Sequence, residues 1–193
     1  MKKFILLGLA GITGLLCCFG TAHTGRETDT GGQTARLSER AMALYSHGQF
    51  DRAKTDFLAV RVSLTQTVGP RDPATLGSRN NHAAVLFAMG DLAGAEAEHR
   101  STMNLRDKTL GRLNPDAIAS RQNLAVTLMC AGKYDEALLH ERCVESVRRH
   151  LLGANDPKSQ QARRLRIMIE DAKKNGRPGS APSGFGSSMV LPA

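Results

Sequence analysis

His82 and His99 are the two side chains of this 193-residue chain best suited to hold a metal ion or move a proton. A zinc site needs three or four protein ligands, and no Cys or His recurs at a spacing that would supply the third. The chain has no Gly-rich phosphate loop, no HExxH, and no Ser or Cys nucleophile within a recognisable motif. Glu96 and Glu98 fall on a charged helical face and need no catalytic role. No enzyme activity, cofactor or metal is therefore expected. Arg79, Arg121 and Arg163 recur at a spacing of 42 residues. They form either a ladder for acidic ligands or a set of stems packed between helices with their heads in water.

That spacing belongs to the whole chain. GPRDP (69–73), GRLNP (111–115) and GANDP (153–157) each combine a Gly, an Asp or Asn, and a Pro. Such a segment ends one helix and starts the next. The Gly takes the left-handed turn, the Asp or Asn accepts from the first free amides, and Pro sits where no amide donor is missed. Aligned on 42 residues, Gly48, Gly90 and Gly132 share a column, as do Ala53, Ala95 and Ala137. Ala41, Ala83 and Ala125, then Leu44, Leu86 and Leu128, then Phe50, Leu92 and Tyr134 form three more. A repeat of this length predicts stacked helical hairpins, each unable to bury its apolar face alone. The units run over 34–73, 74–115 and 116–157. Residues 158–174 then form a single helix with Leu165, Ile167, Met168 and Ile169 among charges, as a terminal cap requires.

The ends differ from the middle. Met1–Lys3 is positive, Phe4–Phe19 is apolar, and Gly20–Ala22 is small, the pattern of an export signal over 1–22. Cleavage after Ala22 is the first expectation, and it takes the charge from +8 to +6 by removing Lys2 and Lys3. Lipidation at Cys17 or Cys18 and an uncleaved anchor are the alternatives. Residues 23–33 read as a flexible linker, and the Gly-, Pro- and Ser-rich 175–193 as a disordered tail. Of the remaining cysteines, Cys130 lies near the turn at Gly132 and Cys143 more than two helical turns beyond it. Two buried thiols are expected, since a disulfide needs Cα atoms within about 7 Å.

Units such as SRQNLAVTLMCAGKYDEALLHERC (120–143) and SRNNHAAVLFAMGDLAGAEAEH (78–99) resemble tetratricopeptide repeats, particularly the 42-residue variety of kinesin light chains. The resemblance covers roughly residues 34–172. It implies an all-α, superhelical solenoid of antiparallel helix pairs whose first helices line a concave groove. By the motif match the groove positions are Met42, Tyr45, Asn80, Phe87, Gln122, Val126, Met129 and Arg164, together with Ser38 and Ala84. The alternative for this stripe is packing between repeats. The hairpin also places His82 and His99 opposite each other, so a hydrogen-bonded pair at the core edge is expected there.

The function that follows is that of an exported interaction module or assembly adaptor, holding a peptide or partner helix in the groove. A pI of about 9.7 favours anionic partners in general, including acidic ligands. The Lys and Arg residues are dispersed, however, which suits a solvated surface. A basic face for an anionic polymer or membrane, and a structural subunit of an envelope or secretion complex, are the rival readings. Nucleic acid is not expected as a partner after export, and membrane contact is expected only if the N-terminus is lipidated or uncleaved.

Overall fold

The computed structural model describes residues 30–176; the expected signal segment and tail lie outside the described residues. Chain contacts divide the protein between Gln33 and Thr34. Among the described residues seven α-helices follow one another: α1 (Thr30–Ser46), α2 (Phe50–Thr67), α3 (Pro73–Ala88), α4 (Leu92–Thr109), α5 (Pro115–Cys130), α6 (Tyr134–Leu152) and α7 (Pro157–Asn175). Helix α1 begins four residues before position 34, inside the stretch that composition alone assigns to a linker. The polar Thr30–Gln33 carries no apolar periodicity and so gives no helical signal.

Two local devices set the helix boundaries. At the hairpin turns, Gly48, Gly90 and Gly132 have φ between 72° and 84°. The next amide then reaches back to the Leu column: Gln49 N to Leu44 O, Asp91 N to Leu86 O, and Lys133 N to Leu128 O, at 2.8–2.9 Å. This six-to-one bond closes the first helix and needs a residue free of the Cβ penalty at positive φ. Between units, Asp72, Asn114 and Asp156 each accept from the amide two residues on at 2.8 Å, with Pro at the first helical position. Asn114→Ala is expected to lower stability by about 1 kcal/mol, read from the urea midpoint, because one amide of α5 then loses its acceptor. An unchanged midpoint would show that water substitutes for the cap.

Each helix packs on the next in the chain from α2 to α7, and α7 also touches α5. Helices α1 and α2 join through Ala41, Ala53 and Phe57, with Met42, Leu44, Tyr45 and Phe50 around them. The central cluster spans α3 to α7 through Leu124, Val126, Leu128, Met129, Leu138, Leu165 and Ile169. Ala41, Ala53, Ala83, Ala95, Ala125 and Ala137 are all fully buried. With no room for a larger side chain, the helices of a hairpin come together along the Ala columns.

Ion pairs tie successive units together across the second helices. Arg61 of α2 donates to Glu98 of α4 at 2.5 Å, and Arg100 of α4 donates to Glu136 of α6 at 2.5 Å. Lys133 reaches Glu96 at 2.8 Å, and Arg166 of α7 reaches Glu145 of α6 at 2.7 Å. Each half-exposed pair adds little stability, but together they specify which surfaces meet.

Candidate binding surface

The eight expected groove residues divide into two sets of four. Met42 and Tyr45 on α1 are half-buried, and Tyr45 stacks against Phe50 with ring centroids 5.6 Å apart. Phe87 on α3 is half-buried against the central cluster, and Arg164 on α7 is exposed. Asn80, Gln122, Val126 and Met129, by contrast, are buried. Their surroundings account for it. Asn123 Nδ2 of α5 donates to Asn80 Oδ1 of α3 at 2.9 Å, which joins one unit to the next. Gln122 Nε2 donates to Glu141 Oε1 of α6 at 3.1 Å inside the third unit. Val126 and Met129 fill the central cluster. These four are packing groups of the array in this state, so the surface set reduces to Met42, Tyr45, Phe87 and Arg164. Of the two further positions, Ser38 is half-buried and Ala84 is buried.

The arginine column is no open ladder. Arg79 donates to Glu98 at 3.1 Å and to Ser101 at 2.9 Å, and Arg121 pairs with Asp107. Of the three, Arg163 alone is exposed. Two of the three charges are thus answered from within the fold. The histidines also differ from expectation. His99 is fully buried, and neither of its ring nitrogens has a hydrogen-bond partner among the described residues; Nδ1 of His82 has none either. Burial lowers both pKa values, that of His99 to about 4. The expected hydrogen-bonded pair is replaced by neutral rings serving as core fillers. Among the described residues no cluster of three or more His, Cys, Asp or Glu could hold a metal ion. Cys130 and Cys143 are free thiols, but they are not both buried as expected: Cys130 is half-buried, which raises its pKa to about 11, and Cys143 is exposed on α6.

One group has no counterpart among the expected site residues. Glu141 is completely buried on α6, and its Oε2 has no hydrogen-bond partner among the described residues. Burial raises its pKa to about 8, although the Gln122 bond and the Arg148 charge pull the other way. The signal was present in the period: Glu141 shares a column with Phe57 and His99, all three with almost no exposure. A position occupied by Phe in one unit is an apolar position in all of them.

A family model of the tetratricopeptide repeat matches residues 75–150, the second unit and most of the third. These units are tetratricopeptide repeats. Similar solved structures include a Podosopora anserina protein described as a kinesin light chain with nearly identical TPR-like repeats. It has a TM-score of 0.69 at 20% identity over 84% of this chain and 73% of that one. A single-substitution form of that protein gives 0.68 at 20% identity over 81% and 71%. BtubC (BKLC) from P. vanneervenii gives 0.70 at 16% identity over 87% and 67%. No curated protein matches the sequence significantly. At these identities the likeness is one of fold, a tetratricopeptide solenoid built on kinesin-light-chain-like repeats. The tetratricopeptide units carry the Gly turn and the Gly-to-Pro connector, the two devices that set the helix ends.

Proposed function

We propose that this chain is a protein-interaction module or assembly adaptor that holds a peptide or partner helix along the first helices of its hairpins. The observation that carries the reading is the tetratricopeptide array itself, a stack of helical hairpins whose curvature creates an extended binding surface. Met42, Tyr45 and Phe87 supply adaptable apolar contact at half-buried positions, and Arg164 supplies charge at the open end. The internal pairing of Arg61, Arg79, Arg100, Arg121 and Arg166 favours this over a basic face for an anionic polymer.

The reading includes export. The positive start, apolar run and small residues of 1–22 support it, and the intact mass of the mature protein separates cleavage after Ala22 from a lipid on Cys17 or Cys18. Among the described residues no helix is long and apolar enough to cross a membrane. Binding is tested by placing a photocrosslinking phenylalanine analogue at position 87 or, as a control, at the exposed Leu139 of α6. The expected result is one discrete adduct from position 87 in producing cells, absent from position 139 and reduced by Arg164→Glu. Identical adducts from both positions, or none from position 87, would overturn the proposal.

A further inference from the structure

The 42-residue repeat lets each unit act as a control for the next, and one arginine breaks the pattern. Arg106 at the end of α4 and Arg148 at the end of α6 occupy equivalent positions. Arg106 Nη1 donates to Asp116 O at 3.1 Å and to Ser120 Oγ at 2.8 Å, and the residue is buried. Arg148 Nη1 makes the equivalent backbone bond to Lys158 O at 3.3 Å. Its second partner is missing, because the position equivalent to Ser120 is Ala162. Arg148 is instead half-exposed beside a pocket of about 430 Å³.

The pocket lies between the N-terminal halves of α5 and α7 and the last turns of α6. Its lining includes Leu113, Leu151 and Leu152, which are 60%, 50% and 49% exposed and form an apolar rim over the buried Ile118. Two cations, Arg148 and Lys158, line it against one carboxylate, Asp116. Two further acids act on Arg148 from outside the pocket lining: Asp156, whose carboxylate also accepts from Lys158 N as the cap of α7, and Glu141, whose pKa burial raises to about 8. Burial lowers the Arg148 pKa, which marks a charge short of solvation. A guanidinium in that condition, with donors to spare and an aliphatic rim, is matched by a carboxylate carried on an aliphatic segment.

We propose that this pocket binds an acidic peptide segment, with a carboxylate on Arg148 and flanking aliphatic side chains on Leu113, Leu151 and Leu152. The inference rests on the interaction-module reading and gives that module a second contact, at the inter-unit edge of α5, α6 and α7 and separate from the surface of Met42, Tyr45 and Phe87.

The test uses isotope-labelled full chain titrated with acetyl-Leu-Leu-Glu-Leu-amide and with its Gln counterpart. The expected result is amide shifts centred on Leu113, Ile118, Leu152 and Lys158, and a preference of about tenfold for the Glu peptide, the scale of one charge-assisted hydrogen bond. Arg148→Gln should abolish the preference with helix content unchanged. The exposed Lys158→Gln should reduce it, and serves in place of Arg148→Gln if that variant misfolds. Equal affinity for the two peptides, no binding at about millimolar concentration, or a preference that survives both substitutions would overturn the pocket. Shifts centred on Met42, Tyr45 and Phe87 would also overturn it, while leaving the interaction module standing.

Discussion

Glu141→Gln is expected to lose much less stability than the wild-type protein between pH 5 and pH 8, with a relative gain at pH 8 on the order of 3 kcal/mol. The cause is the mismatch between a carboxyl that ionises near 4.5 in the unfolded chain and near 8 in the folded one. A raised carboxyl pKa means that the folded state binds the proton more tightly. Its contribution is fully present below about pH 4.5 and is lost as pH rises through about 8. The side chain sits where Phe57 and His99 sit in the other units, with 0% exposure, and the Arg148 charge offsets the burial only in part. Gln keeps an acceptor for Gln122 and removes the charge. The comparison is one of slopes, because the new amide donor shifts the variant's baseline by a constant amount. Parallel pH profiles would mean that water reaches the carboxylate.

His99 works with the opposite sign. Its folded pKa of about 4 lies below its unfolded value, so its contribution is full above about pH 6.5 and declines as pH falls toward 4. Between about pH 4.5 and 6.5 the contributions of these two groups offset one another. Glu141→Gln therefore also uncovers the acid-side decline that His99 produces, helped by the lowered pKa values of His82 and His140.

The second large effect is at the C-terminal end. Truncation after Gly153 is expected to abolish the soluble monomer, because α7 covers the third unit with Ala162, Leu165 and Ile169, all buried. Loss of that cover exposes Leu124, Leu128 and Val144 together, a patch that associates or unfolds. Ile169→Asp separates packing from chain length. A buried unpaired carboxylate at that position should cost at least about 3 kcal/mol in urea unfolding. A truncated chain that stayed monomeric, with its first six helices intact and unfolding at the wild-type midpoint, would remove α7 from the role of cap.

Helix α7 is a poorer platform for a further helix than α5 is. It repeats the first helix of a unit, but Arg166 and Glu170 stand where Leu124 and Leu128 stand in α5, and Ile167 replaces Ala125. The two charged residues pair with Glu145 and Arg142 of α6. The Ala that lets a second helix approach is gone.

What could be read from the sequence is what is decided locally. The caps at Asp72, Asn114 and Asp156 depend on bonds between residues two apart, and the Gly turns on bonds five apart. Both were visible, as was the 42-residue ruler. The exposed part of the candidate surface was only half visible, because the burial of Asn80 and Gln122 is decided by Asn123 and Glu141, 43 and 19 residues away. A polar residue on an amphipathic helix looks the same whether water or a neighbouring amide satisfies it. The arginine column misled for a related reason. The arginines recur with the period, but their partners Glu98 and Asp107 do not share a column, so no alignment of units reveals that the charges are answered. Glu141 could have been recognised from its column and was hidden by the acidic and basic residues of α6 around it.

Packing of each helix on the next in line has a consequence for how the protein is made. Because most contacts form between chain neighbours, little loop-closure entropy stands in the way, and each hairpin can dock on the one before it as soon as both are free to fold. Until α7 has docked, the third hairpin has one wet apolar flank, because Leu165 and Ile169 supply its cover.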